Sequence, residues 1–323
     1  MAIGLASCML IGLYIINELS YDKFNDNANR IVRATMEYKM SDEVNYAATT
    51  GTKVGPELER TFPRIEAYVR TFISSSDVKY ENKLFNENRI LFADPPFFKI
   101  FSFNLLQGNA ESVLDAPNKI VLTESMARKY FGDENPINKA ITVIGKEMIV
   151  SGICQDSPKN SQIKFDFVTQ FLNLGNNVKE EQWWTANWMT YFLLNNGDDI
   201  NQLEQEVNTY MQTEDVRSQA RLEGESYLNY NLQPLLDVHL KSNLAGFEPN
   251  GNMTYIYIFI IIKNYLEEKK LSKLFWVKPH HFPLSCCFCF IINACNFLTS
   301  SGASDFLLII ASIFSISSSS PSP

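Results

Sequence analysis

The side chains able to do chemistry are few, and most of them crowd the far end of the chain. His280 and His281 precede Cys286, Cys287, Cys289 and Cys295. Imidazole and thiolate are zinc donors, and Cys286 and Cys289 have the two-residue gap that zinc ligands use. Against a metal site, the flanking residues are Phe, Ile and Leu rather than loop formers, and no second pair with that gap is present. No metal ligand is assigned on this basis. The third histidine, His239, is read as structural or capping rather than catalytic, and no serine or cysteine stands in a nucleophile's context. A phosphate cradle needs a glycine-rich loop ending in lysine and a serine or threonine. Gly51-Thr-Lys53 and Gly145-Lys-Glu147 come nearest and lack that spacing. Nucleotide hydrolysis is therefore not expected of this chain, and neither a catalytic residue nor a cofactor site is assigned. Trp183, Trp184 and Trp188 lie beside Tyr191 in the sequence. They would line a groove for a hydrophobic ligand or, more simply, form a core or domain-junction cluster. Asp133-Glu134 reads as a solvated turn.

The frame around these residues is a chain of 323 residues, 46% hydrophobic and 20% charged, which is long enough for one large domain or two smaller ones with real cores. The net charge of -8 argues against nucleic acid as a partner, because phosphate binding needs a basic face. Of the six cysteines, Cys8 lies in an apolar run near the start, Cys154 stands alone in the middle and the others lie in the tail. The long middle section cannot form an internal disulfide and must rely on its hydrophobic core.

Both ends of the middle section suggest a membrane. Residues 2–16 carry no charge but fall short of the roughly 20 residues a spanning helix needs. A signal peptide would want a basic start and a small-residue cleavage site, and both are missing. Residues 1–16 are expected to be the second part of a transmembrane helix, with a buried core helix as the alternative; Gly4, Ala6, Ser7 and Gly12 suit close helix packing in lipid. Residues 253–262 read as the start of a second span, with Tyr255 and Tyr257 at the interface, or as a buried strand. Lys263 and the charged stretch Leu266-Glu-Glu-Lys-Lys-Leu271 interrupt it. Further apolar runs follow at 282–298 and 306–316, then a Ser/Pro end.

Between the ends, strand-like and helix-like segments alternate, as in an α/β or α+β domain. Strands are expected at 30–38, 66–73 and 78–85, the last two separated by a turn at Ser74-Ser-Ser-Asp77. Residues 56–62 read as a short helix. The clearest helix runs from Thr123, its cap, to Gly132, its left-handed stop, with Met126, Ala127, Tyr130 and Phe131 on one face. Residues 119–122 lead into it as a strand. A hairpin is expected over 140–153, turning at Gly145-Lys146. A second helix over 199–213 is marked by Ile200, Leu203, Val207, Tyr210 and Met211 at helical spacing, between strands at 188–194 and 227–234. Strand 29–38 is expected to share a sheet with strands from 188–234.

Several fragments in order resemble the MacB-like periplasmic core domain of ABC-transporter permeases of the MacB/FtsX type. They are Glu18-Leu-Ser-Tyr-Asp-Lys-Phe24, Asn29-Arg-Ile-Val-Arg33, Phe62-Pro-Arg-Ile-Glu66, Ala93-Asp94 and Phe97-Phe-Lys-Ile-Phe-Ser-Phe103. Leu105-Leu-Gln-Gly108, Ile120-Val-Leu-Thr-Glu-Ser-Met-Ala-Arg-Lys-Tyr-Phe-Gly132, Pro136-Ile-Asn-Lys139, Val150-Ser-Gly-Ile153 and Leu235-Leu-Asp-Val-His-Leu240 follow. The resemblance implies an α/β (α+β) extracytoplasmic domain of two subdomains flanked by transmembrane helices. The domain would span 17–252, with a membrane-proximal subdomain from about 17–91 and 161–252 and a distal one inserted at about 92–160. It further implies a non-catalytic permease subunit of the bacterial inner membrane, its main domain facing the periplasm. Its partners would be a cytoplasmic ABC ATPase, a second permease copy and the lipid bilayer, with no cofactor. Asn138 stands where that motif usually has glycine, so a turn needing positive φ would be mildly strained there. Family members continue into further spans and a cytoplasmic loop, of which nothing is found after Lys263. Residues 263–323 are therefore read as an aberrant or unassigned tail, not expected to join the core of 17–252. A ligand-sensing receptor ectodomain would share the same layout, and a secreted hydrolase would need a nucleophile or carboxylate pair that cannot be placed.

Overall fold

The computed structural model describes residues 2–184, 186–197 and 199–274. In chain order the elements are α1 (Ala2–Leu19), β1 (Ile31–Lys39), β2 (Val44–Ala47), α2 (Val54–Thr61), β3 (Ile65–Tyr80), β4 (Lys83–Ala93), α3 (Phe97–Ile100), β5 (Leu105–Gln107), β6 (Lys119–Thr123) and α4 (Glu124–Phe131). Then come β7 (Ala140–Val143), β8 (Lys146–Cys154), β9 (Phe167–Gln170), β10 (Met189–Leu194), α5 (Ile200–Met211), α6 (Glu214–Gln219), β11 (Tyr227–Pro234), α7 (Leu235–Lys241) and α8 (Met253–Leu274). Contacts gather Met9–Ile260 into one unit; the other, of which residues 2–8 and 261–274 are described, is helical. Among the described residues, no helix is long and apolar enough to cross a membrane. The segment from Met253 is helix rather than strand, and it continues through Glu267–Lys270 to Leu274.

The sheet runs β11-β1-β10-β3-β4-β9-β6-β8-β5, with β2 on β1 and β7 on both β3 and β8. Only β4–β9 and β6–β8 pair in parallel among the described strands. Successive side chains of a strand point to opposite faces, so neighbouring residues enter different cores. Ile31, Leu91, Val121, Tyr191 and Leu193 face a core filled by Phe97, Phe101, Phe103 and Phe165. Val32, Ala34, Phe192 and Leu194 face Leu203, Val207 and Met211 of α5. Ile90, Phe92, Ile120 and Leu122 face Tyr130 and Phe131 of α4. As expected, β1 pairs with β10 and β11, which lie almost the whole domain away in sequence.

Local rules explain the best-read elements. The Thr123 hydroxyl accepts from Met126 N at the start of α4, and Gly132 ends it at φ 64. Asp199 caps α5 by accepting from the N–H groups of Asn201 and Gln202. α5 also closes an open sheet edge. Asn208 Nδ2 donates to Tyr230 O at 3.1 Å while its Oδ1 accepts from Tyr230 N at 2.8 Å, as a neighbouring strand would. Glu204 accepts from Leu232 N at 2.6 Å. Side chains thus satisfy the edge groups that would otherwise recruit another strand.

Two turns differ from expectation. Ser74-Ser-Ser-Asp77 is not a turn but part of one 16-residue strand, β3, which pairs with β4 across a register irregularity between Ser74 and Ser76. Backbone pairing suffices there without buried side chains, so a polar serine run reads falsely as a loop. The chain reverses instead just after Tyr80, with Glu81 at φ 51. In the β7–β8 hairpin the turn residues are Ile144 (φ 50) and Gly145 (φ 73), one position earlier than expected, because Val143 pairs with Lys146. Positive φ at both central residues is the twist that two-residue hairpins require. Asn138 does adopt positive φ, at 66°.

Candidate functional site at the end of the first helix

A buried polar cluster forms where the end of α1 meets α7 and the segment at 160–163. Beyond the last turn of α1, Ser20 Oγ donates to Asn17 O at 2.7 Å. The chain then bends through Asp22, which is left-handed at φ 57 and only 2% exposed. Short polar side chains tolerate that conformation better than others. Asp22 N donates to Asn160 O at 2.9 Å, and Asn160 Nδ2 returns bonds to Ser20 O and Ser20 Oγ at 2.9 Å each. Asp22 Oδ1 accepts from Gln162 N at 3.0 Å and from the Ser161 hydroxyl at 3.2 Å. A buried aspartate would normally be an expensive guest; here two donors hold it.

His239 joins α7 to this entry. Its Nε2 lies 2.9 Å from Glu18 Oε2, and its Nδ1 lies 2.9 Å from Gln162 Nε2. The ring stacks on Tyr21 with centroids 3.5 Å apart and planes 6° off parallel. The loop from Ser242 to Asn252 closes over the pair. A Cβ at Gly251 would lie 2.8 Å from Glu18 Oε2 and 2.9 Å from His239 Nε2, so only glycine lets this backbone approach. Asn250 Nδ2 ties the loop to itself at Ser242 O and Leu244 O. Arg33 anchors it to the sheet. The Arg33 guanidinium donates to Ser242 Oγ (2.9 Å), Gln233 Oε1 (2.7 Å) and Ala245 O (3.2 Å). It is fully buried, and these partners are neutral. Just beyond, Tyr14 and Phe259 meet edge to face, with centroids 5.3 Å apart.

Burial sets the electrostatics. It pushes Asp22 up to about 6, against the lowering effects of Gln162 N, Ser161 and Lys164. It also pulls the Arg33 guanidinium down, with a small opposing effect from Tyr191. Burial raises the Tyr21 phenol, followed by the charge of Glu18.

The residues singled out from sequence fare unevenly. His239 bridges elements rather than capping a helix end. The tryptophans line no common groove. Trp183 lies in the core beside Tyr230, Trp184 donates Nε1 to Ala220 O at 2.5 Å, and Trp188 packs on Phe171 and Phe72. Tyr191 belongs to the opposite core. Lys53 stands over the Trp183 ring at 5.3 Å, and Gly145 is in a tight hairpin, so neither fragment builds a phosphate cradle. Among the described residues no group of His, Cys, Asp or Glu could hold a metal. His280, His281, Cys286, Cys287, Cys289 and Cys295 lie outside the described residues. Sequence reading missed Asp22 and Gln162; their signal, polar residues inside otherwise anchored turns, is too common to single them out.

The mixed sheet and the return of the chain to its starting strand define the class of a mixed α/β domain. Residues 1–210 of the 323 match the family described as the MacB-like periplasmic core domain, and the chain belongs to that family. Among solved structures, a domain assigned to a permease protein from Porphyromonas gingivalis is 22% identical at a TM-score of 0.54, covering 65% of this chain and 91% of that one. That similarity shows the fold. The periplasmic region of MacB from Actinobacillus actinomycetemcomitans (14% identity, TM-score 0.44) covers 62% of this chain and 88% of that one. The extracellular domain of the noncanonic ABC-type transporter YknZ from Gram-positive bacteria (12%, TM-score 0.43) covers 63% and 99%. No curated protein matches the sequence.

Proposed function

We propose that the chain is the extracytoplasmic and membrane-anchoring part of an ABC-transporter permease, and that it passes ATPase-driven motion across the membrane for export or signalling. The observation that carries this is the Glu18–His239–Gln162 bridge. It fastens the end of α1 to α7 and to the loop that leads into α8, so displacement of one helix is transmitted to the other through buried, directional contacts. Residues 17–252 act as the core domain, with 17–91 and 161–252 next to the membrane and 92–160 distal. Residues 1–16 and 253–262 enter the bilayer as parts of two spans, and 263–323 form an unassigned tail. The protein sits in the bacterial inner membrane with this domain in the periplasm. It works as a dimer and relies on a separate cytoplasmic ATPase, since the sequence carries no glycine-rich phosphate-binding motif. The test is affinity isolation of the full chain from crosslinked native membranes. A co-isolated subunit with a phosphate-binding loop and ATPase activity is expected; an isolate without ATPase activity contradicts the reading.

A further inference from the structure

Arg33 is a buried cation without a counter-charge. It is 0% exposed, and its acceptors, Gln233 Oε1, Ser242 Oγ and Ala245 O, are all neutral. Its Nε has no hydrogen-bond partner. An arginine is rarely buried to this degree unless an anion pairs with it. Arg70, in the same sheet, shows that ordinary arrangement, with Asp94 bound to it at 2.8 Å. Arg33 makes no such pair among the described residues.

Two of its acceptors, Gln233 and Ser242, are walls of an open cleft of about 470 Å³. Thr35 also lines it from β1, Lys241 and Asn243 from the end of α7 and the loop after it, and Glu204 from α5. Arg33 fixes the Gln233 amide. Its Oε1 accepts from the guanidinium at 2.7 Å, and a reversed amide would set donor against donor. Gln233 Nε2 is therefore left with two protons and no partner among the described residues. The charge of Arg33, sealed beneath the cleft in a low-dielectric setting, polarises that amide and acts through it. Lys241 stands at the rim, 2.9 Å from Asp237, so its own charge is already met. Glu204 Oε2 accepts from Leu232 N at 2.6 Å, and its negative charge opposes more than one added anionic charge.

We propose that this cleft binds a singly charged oxyanion, of the phosphodiester or carboxylate kind. Gln233 Nε2 and the Lys241 ammonium donate to its oxygens, and Arg33 beneath supplies the counter-charge. A free anion and a lipid headgroup both carry this chemistry. The loop on the rim runs into α8, where Tyr255 and Ile258 are exposed, so a headgroup has an apolar surface along the same stretch of chain for its tails.

The test is NMR of the full 323-residue chain in an uncharged detergent, with arginine and glutamine labelled by the heavy nitrogen isotope. Dimethyl phosphate and acetate, added at constant ionic strength, should each shift the Arg33 Nε–H resonance along a curve that saturates in the millimolar range. Sulfate, a dianion, should bind more weakly. Arg33→Gln should melt cooperatively and lose about tenfold or more in affinity, read at the Gln233 amide. Lys241→Gln, at the exposed rim, keeps the fold if the buried change does not, and should weaken binding about twofold to fivefold. Phosphatidylcholine nanodiscs separate the two sources. A headgroup ligand holds the Arg33 resonance at its bound position before any addition, whereas a free anion leaves it unbound until dimethyl phosphate is added. A shift that never saturates in detergent, or a curve unchanged in either variant, overturns the site. Binding here asks nothing of an ATPase, so the cleft and the relay can fail separately.

Discussion

Replacing Asp94 by asparagine keeps the shape of a buried ion pair and removes its charge. The Asp94 carboxylate accepts Arg70 Nε, Arg70 Nη2 and the Arg70 backbone N–H, all at 2.8 Å. The guanidinium also donates Nη1 to Thr52 O at 2.9 Å and lies 4.3 Å from the Phe171 ring centre. Arg70 is 7% exposed and Asp94 4%. Burial alone would pull the guanidinium down, but the bonds and charge of Asp94 outweigh it and raise it overall. Without the carboxylate the buried cation has no counter-charge and keeps only Thr52 O and the Phe171 ring among these partners, a loss of about 3–5 kcal/mol. For a domain of this size each kcal/mol is about 2–4 °C of melting temperature, so D94N should melt about 6–20 °C lower. Differential scanning fluorimetry of the full chain in detergent measures this. A combined Arg70→Met, Asp94→Leu change should recover much of the loss, because an apolar pair of similar volume removes both desolvation costs. A shift under about 2 °C for D94N, or a double variant as unstable as the single one, would refute the reasoning.

Three other outcomes follow from named contacts. Asn208→Ala uncovers the N–H and C=O of Tyr230 on the edge strand and should cost about 1–3 kcal/mol, with concentration-dependent association appearing in light scattering. Gly251→Ala drives a methyl group against Glu18 and His239 and should lower the melting temperature while raising hydrogen exchange in α7, an overpacking cost of about 1–3 kcal/mol. The isolated chain should show no saturable ATP binding by calorimetry at micromolar nucleotide; a saturable isotherm would mean a phosphate site formed without the usual loop.

What was legible in the sequence was what local rules control. The cap at Thr123, the spacing of Leu203, Val207 and Met211, and the alternation along Tyr227–Pro234 each state their element directly. The polar stretch Ser74–Asp77 misled because β-pairing needs no apolar side chain once the neighbouring strand satisfies the backbone. The tryptophans are packed in cores, as the simpler reading has it, but not in one cluster with Tyr191: nearness in sequence says nothing about which side of a sheet a ring will enter, and Trp183 and Tyr191 enter opposite cores. The polar cluster was the least visible. Glu18 and His239 are separated by 221 positions, and no periodicity links an acidic residue at a helix end to a histidine on a short helix so far away. Only the return of β11 beside β1 brings them together.

The central claim, that this domain relays ATP-driven motion between its first and last helices, is tested most directly by a cysteine pair at Tyr14 and Phe259. Their rings touch at 5.3 Å, beside the Glu18–His239 bridge. In native membranes carrying Tyr14→Cys and Phe259→Cys, the yield of the disulfide under mild oxidation should differ between nucleotide-free membranes and membranes trapped with ATP and vanadate. The difference should shrink when His239→Gln breaks the bridge. An equal yield in both nucleotide states would contradict the relay.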